Sequence, residues 1–170
     1  MLGLLKKKIS VSAPFDGTTM DITEVNDAVF AQLMMGDGCA VMPVYGEVHA
    51  SVEVHAPVEV HTPVAGRIEL IAETKHAICI KTPEGLEIML HCGIDTVKFG
   101  GEGFEILVEA GQQVRAGDLL CRCDMEYFQS NAVDLTSPIL VLNSDQYAIV
   151  KKQLGKRVAA GDEIFTVVKK

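Results

Sequence analysis

The chain has 170 residues, 48% of them hydrophobic, which suits one domain with a core of its own rather than two. A formal net charge of −8, with no basic stripe carrying interleaved aromatics, argues against nucleic acid and points to partners with basic surfaces. Five cysteines, an odd number without the spacing of a disulfide framework or a zinc knuckle, read as the reduced thiols of a cytoplasmic protein.

Residues 1–8, MLGLLKKK, place their charge after the apolar run, which is too short for a signal peptide or a membrane span. They read as a frayed tail. Weak contact of Leu2, Leu4 and Leu5 with an anionic membrane surface is the alternative. From Ile9 onward, short apolar runs broken by glycine and proline predict an all-β fold, a sandwich or barrel spanning residues 9–170, with few short helices. Asn26 or Asp27 is expected to cap a short turn through Phe30. Gly36-Asp-Gly38 then reads as a turn rather than a phosphate cradle.

Between Pro43 and Pro63 stand three hexapeptides, VHASVE, VHAPVE and VHTPVA, which mark residues 44–62 as a surface insert. His49, His55 and His61 would share one face of a single strand, about 20 Å apart at about 3.3 Å per residue. One metal cannot bridge that span, so the repeat is read as an elaboration and not a metal site.

Thr74 to Val97 carries the chemistry. Residues 76–81 and 86–91 are β-branched and apolar runs joined by Thr-Pro-Glu-Gly, a hairpin pattern with His76 near one end and His91 at the other. A four-residue loop, Thr82 to Gly85, pairs Lys81 with Leu86 and sets His76 opposite His91. A three-residue loop with a bulge at Gly85 would put the histidines on opposite faces. The first register is adopted here. It places Ile78 and Met89 on the histidine face and Cys92 on the opposite, core face. Gly93 lets the backbone approach a ligand on the ring, and Asp95 adds a carboxylate.

Farther on, Cys121 and Cys123 fall on one face of a strand, where packing is the expected role, and Asp124 is placed to cap a helix over residues 125–132. Two internal repeats indicate a doubled architecture. Ala13-Pro-Phe-Asp-Gly17 resembles Thr62-Pro-Val-Ala-Gly66, and the segment 110–118 resembles 154–162. No GxxxxGK[ST] loop, GxGxxG after a strand, or HExxH occurs, so ATP binding is not expected.

The run GLEIMLHCGIDTVKFGGEGF, with TKHAICI before it and FAQLMMGDGCAVMP at residues 30–43, resembles the glucose-type IIA phosphocarriers of the bacterial phosphoenolpyruvate-dependent sugar phosphotransferase system. The resemblance covers nearly the whole chain. It implies an antiparallel barrel-like sandwich with a duplicated hybrid motif. It also implies a phosphoryl relay, from the phosphocarrier HPr to His91 and on to a cysteine of a IIB domain, with regulatory proteins as further partners and the sugar left open. His76 would then stabilise phosphoryl oxygens, with Thr74 orienting His76. Asp37 and Asp95 would rim the site and meet a basic residue of the partner, and Val41, Ile78 and Met89 would form the docking patch. No cofactor is required, and zinc shared between His76 and His91 in a partner complex is a further option.

The rival from another class is a zinc hydrolase using His76 and His91 as two of three ligands. It needs a third ligand, and with no H-x-H pair present Asp37 or Asp95 would have to serve. A regulatory binding module without relay chemistry is the third reading.

Overall fold

The computed structural model describes residues 5–44 and 57–170. Among the described residues, apolar runs, some alternating with polar residues and some continuous, form fourteen strands: β1 (Lys8–Ser12), β2 (Gly17–Asp21), β3 (Asp37–Pro43), β4 (Val58–His61), β5 (Gly66–Ile71), β6 (Ala77–Lys81), β7 (Glu87–His91), β8 (Phe104–Ile106), β9 (Gln113–Val114), β10 (Leu119–Cys123), β11 (Ser137–Val141), β12 (Tyr147–Lys152), β13 (Arg157–Val158) and β14 (Glu163–Lys169). All their pairings are antiparallel. One eight-stranded sheet runs β13-β2-β3-β11-β7-β6-β5-β9, and two three-stranded sheets, β1-β14-β12 and β4-β10-β8, complete the fold. This is the expected all-β sandwich. Among the described residues no helix is long and apolar enough to cross a membrane.

The sequence repeats are structural repeats. In the first half-motif, Ala13 N–H donates to Asp162 O (2.8 Å) and Gly161 N–H to Ala13 O (2.9 Å). In the second, Thr62 N–H donates to Asp118 O (2.8 Å) and Gly117 N–H to Thr62 O (3.0 Å). The two motifs also clasp each other, Ser12 N–H to Pro63 O (2.9 Å) and His61 N–H to Pro14 O (2.8 Å). Gly17 pairs with Val158 as Gly66 pairs with Val114. Duplication thus yields two equivalent corners, and each glycine sits where a Cβ would meet a backbone carbonyl at 2.3 Å.

Two short α-helices occur among the described residues. Asp27, of the two candidates, caps α1 (Ala28–Ala31), accepting from Val29 N (2.8 Å) and Phe30 N (3.4 Å). Asp124 caps α2 (Met125–Ser130) by accepting from Tyr127 N (3.0 Å), and the helix ends two residues short of the expected Ala132.

The main core lies between the sheets and includes Val41, Ile78, Ile80, Leu90, Cys92, Cys121, Phe128 and Phe165. A second, smaller core covers the other face of the large sheet. It gathers Ile22, Val25, Phe30, Ala40, Ala77, Met89, Ile94 and Leu140 beneath α1.

The segment 44–62 is not all insert. Val58–His61 is β4, paired with β10, with Val60 fully buried. His61 Nδ1 pairs with Gly117 O at 2.9 Å, which ties it into the duplicated corner. His49 and His55 lie outside the described residues, as do residues 1–4. Lys7 of the expected frayed tail forms an ion pair with Glu84, whose carboxyl it holds below the usual range.

Candidate functional site

The hairpin exists, but its register differs from the expectation. Lys81 pairs with Glu87 and Ala77 with His91. Thr82 N–H donates to Leu86 O and Gly85 N–H to Thr82 O (both 2.9 Å), leaving a three-residue loop with Gly85 at φ 94°. This is the bulged loop of the discarded alternative, in which strand alternation would separate the histidines. They nonetheless meet. Their ring centroids lie 4.8 Å apart, edge to face. The reason is that His76 stands one residue before β6, directly after Lys75, whose φ of 60° bends the chain. Its backbone is still held in place, accepting from Cys92 N–H at 2.7 Å. Its ring, outside the strand, escapes the alternation.

His91 ends β7 and is half-buried. Its Nδ1 lies 2.8 Å from Gly93 O, so the ring proton sits on Nδ1, donated to that carbonyl, and Nε2 keeps a free lone pair. Gly93 adopts φ 76° to turn its carbonyl back, and a Cβ there would lie 2.7 Å from Thr96 Cγ2. That local turn, rather than room for a ligand, is what the structure asks of this glycine. Phe30 of α1 packs its ring against His91, centroids 4.9 Å apart. Burial pushes the His91 pKa below 6.5, opposed by the Gly93 carbonyl and, more weakly, by the nearby carboxylates Asp27 and Asp95. His76 is lowered too, by burial first and then by His91. Thr74 Oγ1 lies 2.6 Å from His76 Nδ1, which places Thr74 where the sequence suggested.

The pair thus offers two neutral imidazoles at neutral pH, each anchored through Nδ1. Backbone strain gathers around them. Among the described residues, four non-glycine residues have positive φ, and three flank this site: Leu33 (58°) after α1, Lys75 (60°) and Asp95 (57°).

Asp95 is exposed and precedes the 3-10 turn Thr96–Phe99 without making a side-chain capping bond, so its carboxylate faces solvent. Asp37 is engaged within the chain. Its Oδ1 accepts from Gly38 N–H (2.8 Å) and Lys152 Nζ (2.7 Å), while its side chain remains 40% exposed. Burial works against the Lys152 charge, but Asp37 and Asp21 outweigh it and raise its pKa.

The expected docking patch is corrected. Val41 is fully buried and Ile78 is 1% exposed, both in the main core. The one-residue register change puts Ile78 on the face away from His91. Met89 does share the His91 face but is covered by the second core. Exposed apolar surface lies elsewhere. Val29 (42%), Leu33 (43%) and Met34 (70%) stand on and just after the helix that carries Phe30, and Val97 (51%) follows Asp95. Such clustered exposure is a docking signal. It was visible as FAQLMM, since a one-turn helix buries only one of its faces. Asp27 and Phe30 were legible as a cap and its turn, but nothing in the sequence showed that they approach His91.

Among the described residues, the only group of three ligand-type side chains within metal-binding reach is Cys92, Cys121 and Cys123. Among the described residues no third ligand-type side chain joins the histidine pair, whereas the zinc hydrolase reading asks for one.

Comparison with known proteins gives the family and the fold. Residues 9–147 match the family model of the phosphoenolpyruvate-dependent sugar phosphotransferase system, EIIA 1. A glucose-specific EIIA component of the phosphotransferase system from Staphylococcus aureus (strain COL) is 42% identical over 146 residues, 86% of this chain and 81% of that protein. The protein of the same name from Staphylococcus epidermidis (strain RP62A) is 41% identical over 140 residues, 82% of this chain and 77% of its own length. Among solved structures, glucose permease IIA from Mycoplasma capricolum superposes with a TM-score of 0.82 at 35% identity, covering 98% of this chain and 99% of that one.

Proposed function

We propose that this chain, which belongs to the EIIA 1 family of the phosphoenolpyruvate-dependent sugar phosphotransferase system, is a glucose-specific phosphocarrier that takes a phosphoryl group from phospho-HPr on His91 and passes it to a IIB cysteine. The observation that carries this reading is the 2.8 Å contact between His91 Nδ1 and Gly93 O, which leaves Nε2 as a neutral nucleophile. In acceptance, Nε2 attacks phosphorus in line. The new N–P bond forms as the donor's N–P bond breaks, and the donor imidazole leaves with the electron pair. In delivery, the IIB thiolate forms an S–P bond as the His91 N–P bond breaks. Neither step needs a base for His91, because its attacking nitrogen carries no proton.

The transition state of such a transfer is loose, and the protein's part is to position the group and stabilise its equatorial oxygens. With the Thr74 hydroxyl donating to His76 Nδ1, His76 carries its proton on Nε2 and donates it to a phosphoryl oxygen. Val29, Leu33, Met34 and Val97 give both partners an apolar footing, the methionine adapting to two different surfaces. Asp95 and the part-exposed Asp37 meet basic residues of the partner. The relay needs no cofactor. Two imidazoles are only two of zinc's four ligands, so any zinc here takes the rest from a partner. The setting is the cytoplasm, consistent with five free cysteines.

Incubation with phosphoenolpyruvate, enzyme I and HPr, followed by intact mass measurement and peptide mapping, tests the proposal. One acid-labile phosphoryl adduct on His91 is expected. No adduct, or an adduct elsewhere, would overturn it.

A further inference from the structure

Behind His91, on the core side of the large sheet, three thiols converge. Cys92 follows β7, while Cys121 and Cys123 project from the same face of β10 across the sandwich. Their sulfur atoms all lie within 4.8 Å of one another, and the residues are 3%, 0% and 5% exposed. Packing alone does not require sulfur at all three positions. A cavity of about 10 Å³, room for roughly one atom-sized guest, touches Cys92 and Cys123 and is also lined by Val60, Ser137 and Met125, whose thioether is a further soft donor.

We propose that Cys92, Cys121 and Cys123 form a buried trigonal site for one soft monovalent cation of the copper(I) class. A first-row metal bound to thiolate at about 2.3 Å sets three planar ligands about 4.0 Å apart, so the 4.8 Å cluster needs only a small contraction to close on an ion. The donor set selects the metal. Thiolates with a neighbouring thioether favour copper(I), whereas structural zinc and iron–sulfur clusters ask for four ligands. Among the described residues no histidine or carboxylate joins the group to complete a tetrahedron. Each thiol that becomes a thiolate ligand releases its proton to solvent, so capture strengthens as pH rises. The remaining cysteines are placed apart. Cys39 belongs to β3, and Cys79 lies on the His91 face of β6.

The test is anaerobic titration of the reduced full chain with copper(I) supplied as its acetonitrile complex, in competition with the chromophoric chelator bicinchoninate. One equivalent per chain should be retained, with an X-ray absorption spectrum showing a sulfur-only shell at about 2.3 Å. Cys121→Ser and Cys123→Ser should each weaken retention by at least about 100-fold, since losing even a hydrogen-bond partner of a ligand costs 10–100-fold. Cys79→Ser should leave it unchanged. Where a serine variant does not fold, as judged by circular dichroism, the sulfur count of the wild-type spectrum decides alone. No retained copper, fewer than three sulfur ligands, loss of binding in Cys79→Ser, or equally tight zinc would each overturn the assignment.

Discussion

If the proposed relay holds, replacing His76 by glutamine should separate its two halves, because charge sits differently in each. In acceptance the group arrives activated on the donor's histidine, so loss of one hydrogen-bond donor leaves a slower but usable reaction. In delivery His91 must become the leaving group while phosphoryl oxygens carry charge that His76 otherwise stabilises. Removing such a donor costs about 2.7–4 kcal/mol, or about 10²–10³ in rate. Thr74 acts only through His76 Nδ1, at 2.6 Å. Thr74→Val should therefore cost no more than one hydrogen bond, about 0.5–1.5 kcal/mol, and should add almost nothing in the His76→Gln background. Rapid-quench measurement of phosphoryl loss from His91 to a purified IIB domain reads all four proteins. If His76→Gln blocks acceptance as completely as His91→Ala, or if Thr74→Val slows delivery equally with and without His76, the assignment of helper and positioning residue is wrong.

Three further outcomes are expected. Burial lowers the His91 pKa below 6.5, so its neutral form contributes stability that is fully present above the unfolded pKa and lost as pH falls through the folded one. Imidazole NMR should place its midpoint below 6.5, and acceptance should weaken along the same curve. Leu33→Asp and Met34→Asp should raise KM for HPr and IIB at least about fivefold, the scale of a residue worth 1 kcal/mol, with stability changed by no more than about 0.5 kcal/mol. A structural role would instead appear as a fall in Tm. Replacing residues 45–56 by a short Gly-Ser linker should leave phosphorylation of His91 intact. Extending that deletion through Glu59 should lower Tm, because Val58 and Glu59 pair with Cys123 and Arg122.

The fold was legible in the sequence because its signals are local and repeated. Period-two apolar runs, corner glycines and the two duplicated motifs each specify the same strand breaks, and Asp27 and Asp124 advertise their caps within three residues. The histidine face was less legible, because Thr82-Pro83-Glu84-Gly85 accommodates a loop of three or four residues, and the choice moves every partner by one. That single step carried Ile78 from the site to the core. It would have separated the histidines as well, had His76 belonged to the strand.

Val41 was misplaced for a different reason. Alternation says which residues share a face, but not that β3 lies between β2 and β11 with apolar layers on both sides. A strand buried on two faces reads as a continuous apolar run, as Cys39 to Val41 does, and such a run offers no outward residue to a partner. Met42, Leu70 and Val150 do expose apolar surface on β3, β5 and β12, but next to His91 it comes from elements outside the sheet. Here these are a one-turn helix and a 3-10 turn at the ends of the strands, and they stand beside His91 because Phe30 anchors the first to the ring and Asp95 joins the second to β7 through four residues of chain. In the relay proposed above, the nucleophile is thus held by a sheet, while the surface offered to partners rides on short, strained connections, the parts of the chain best able to adapt to two of them.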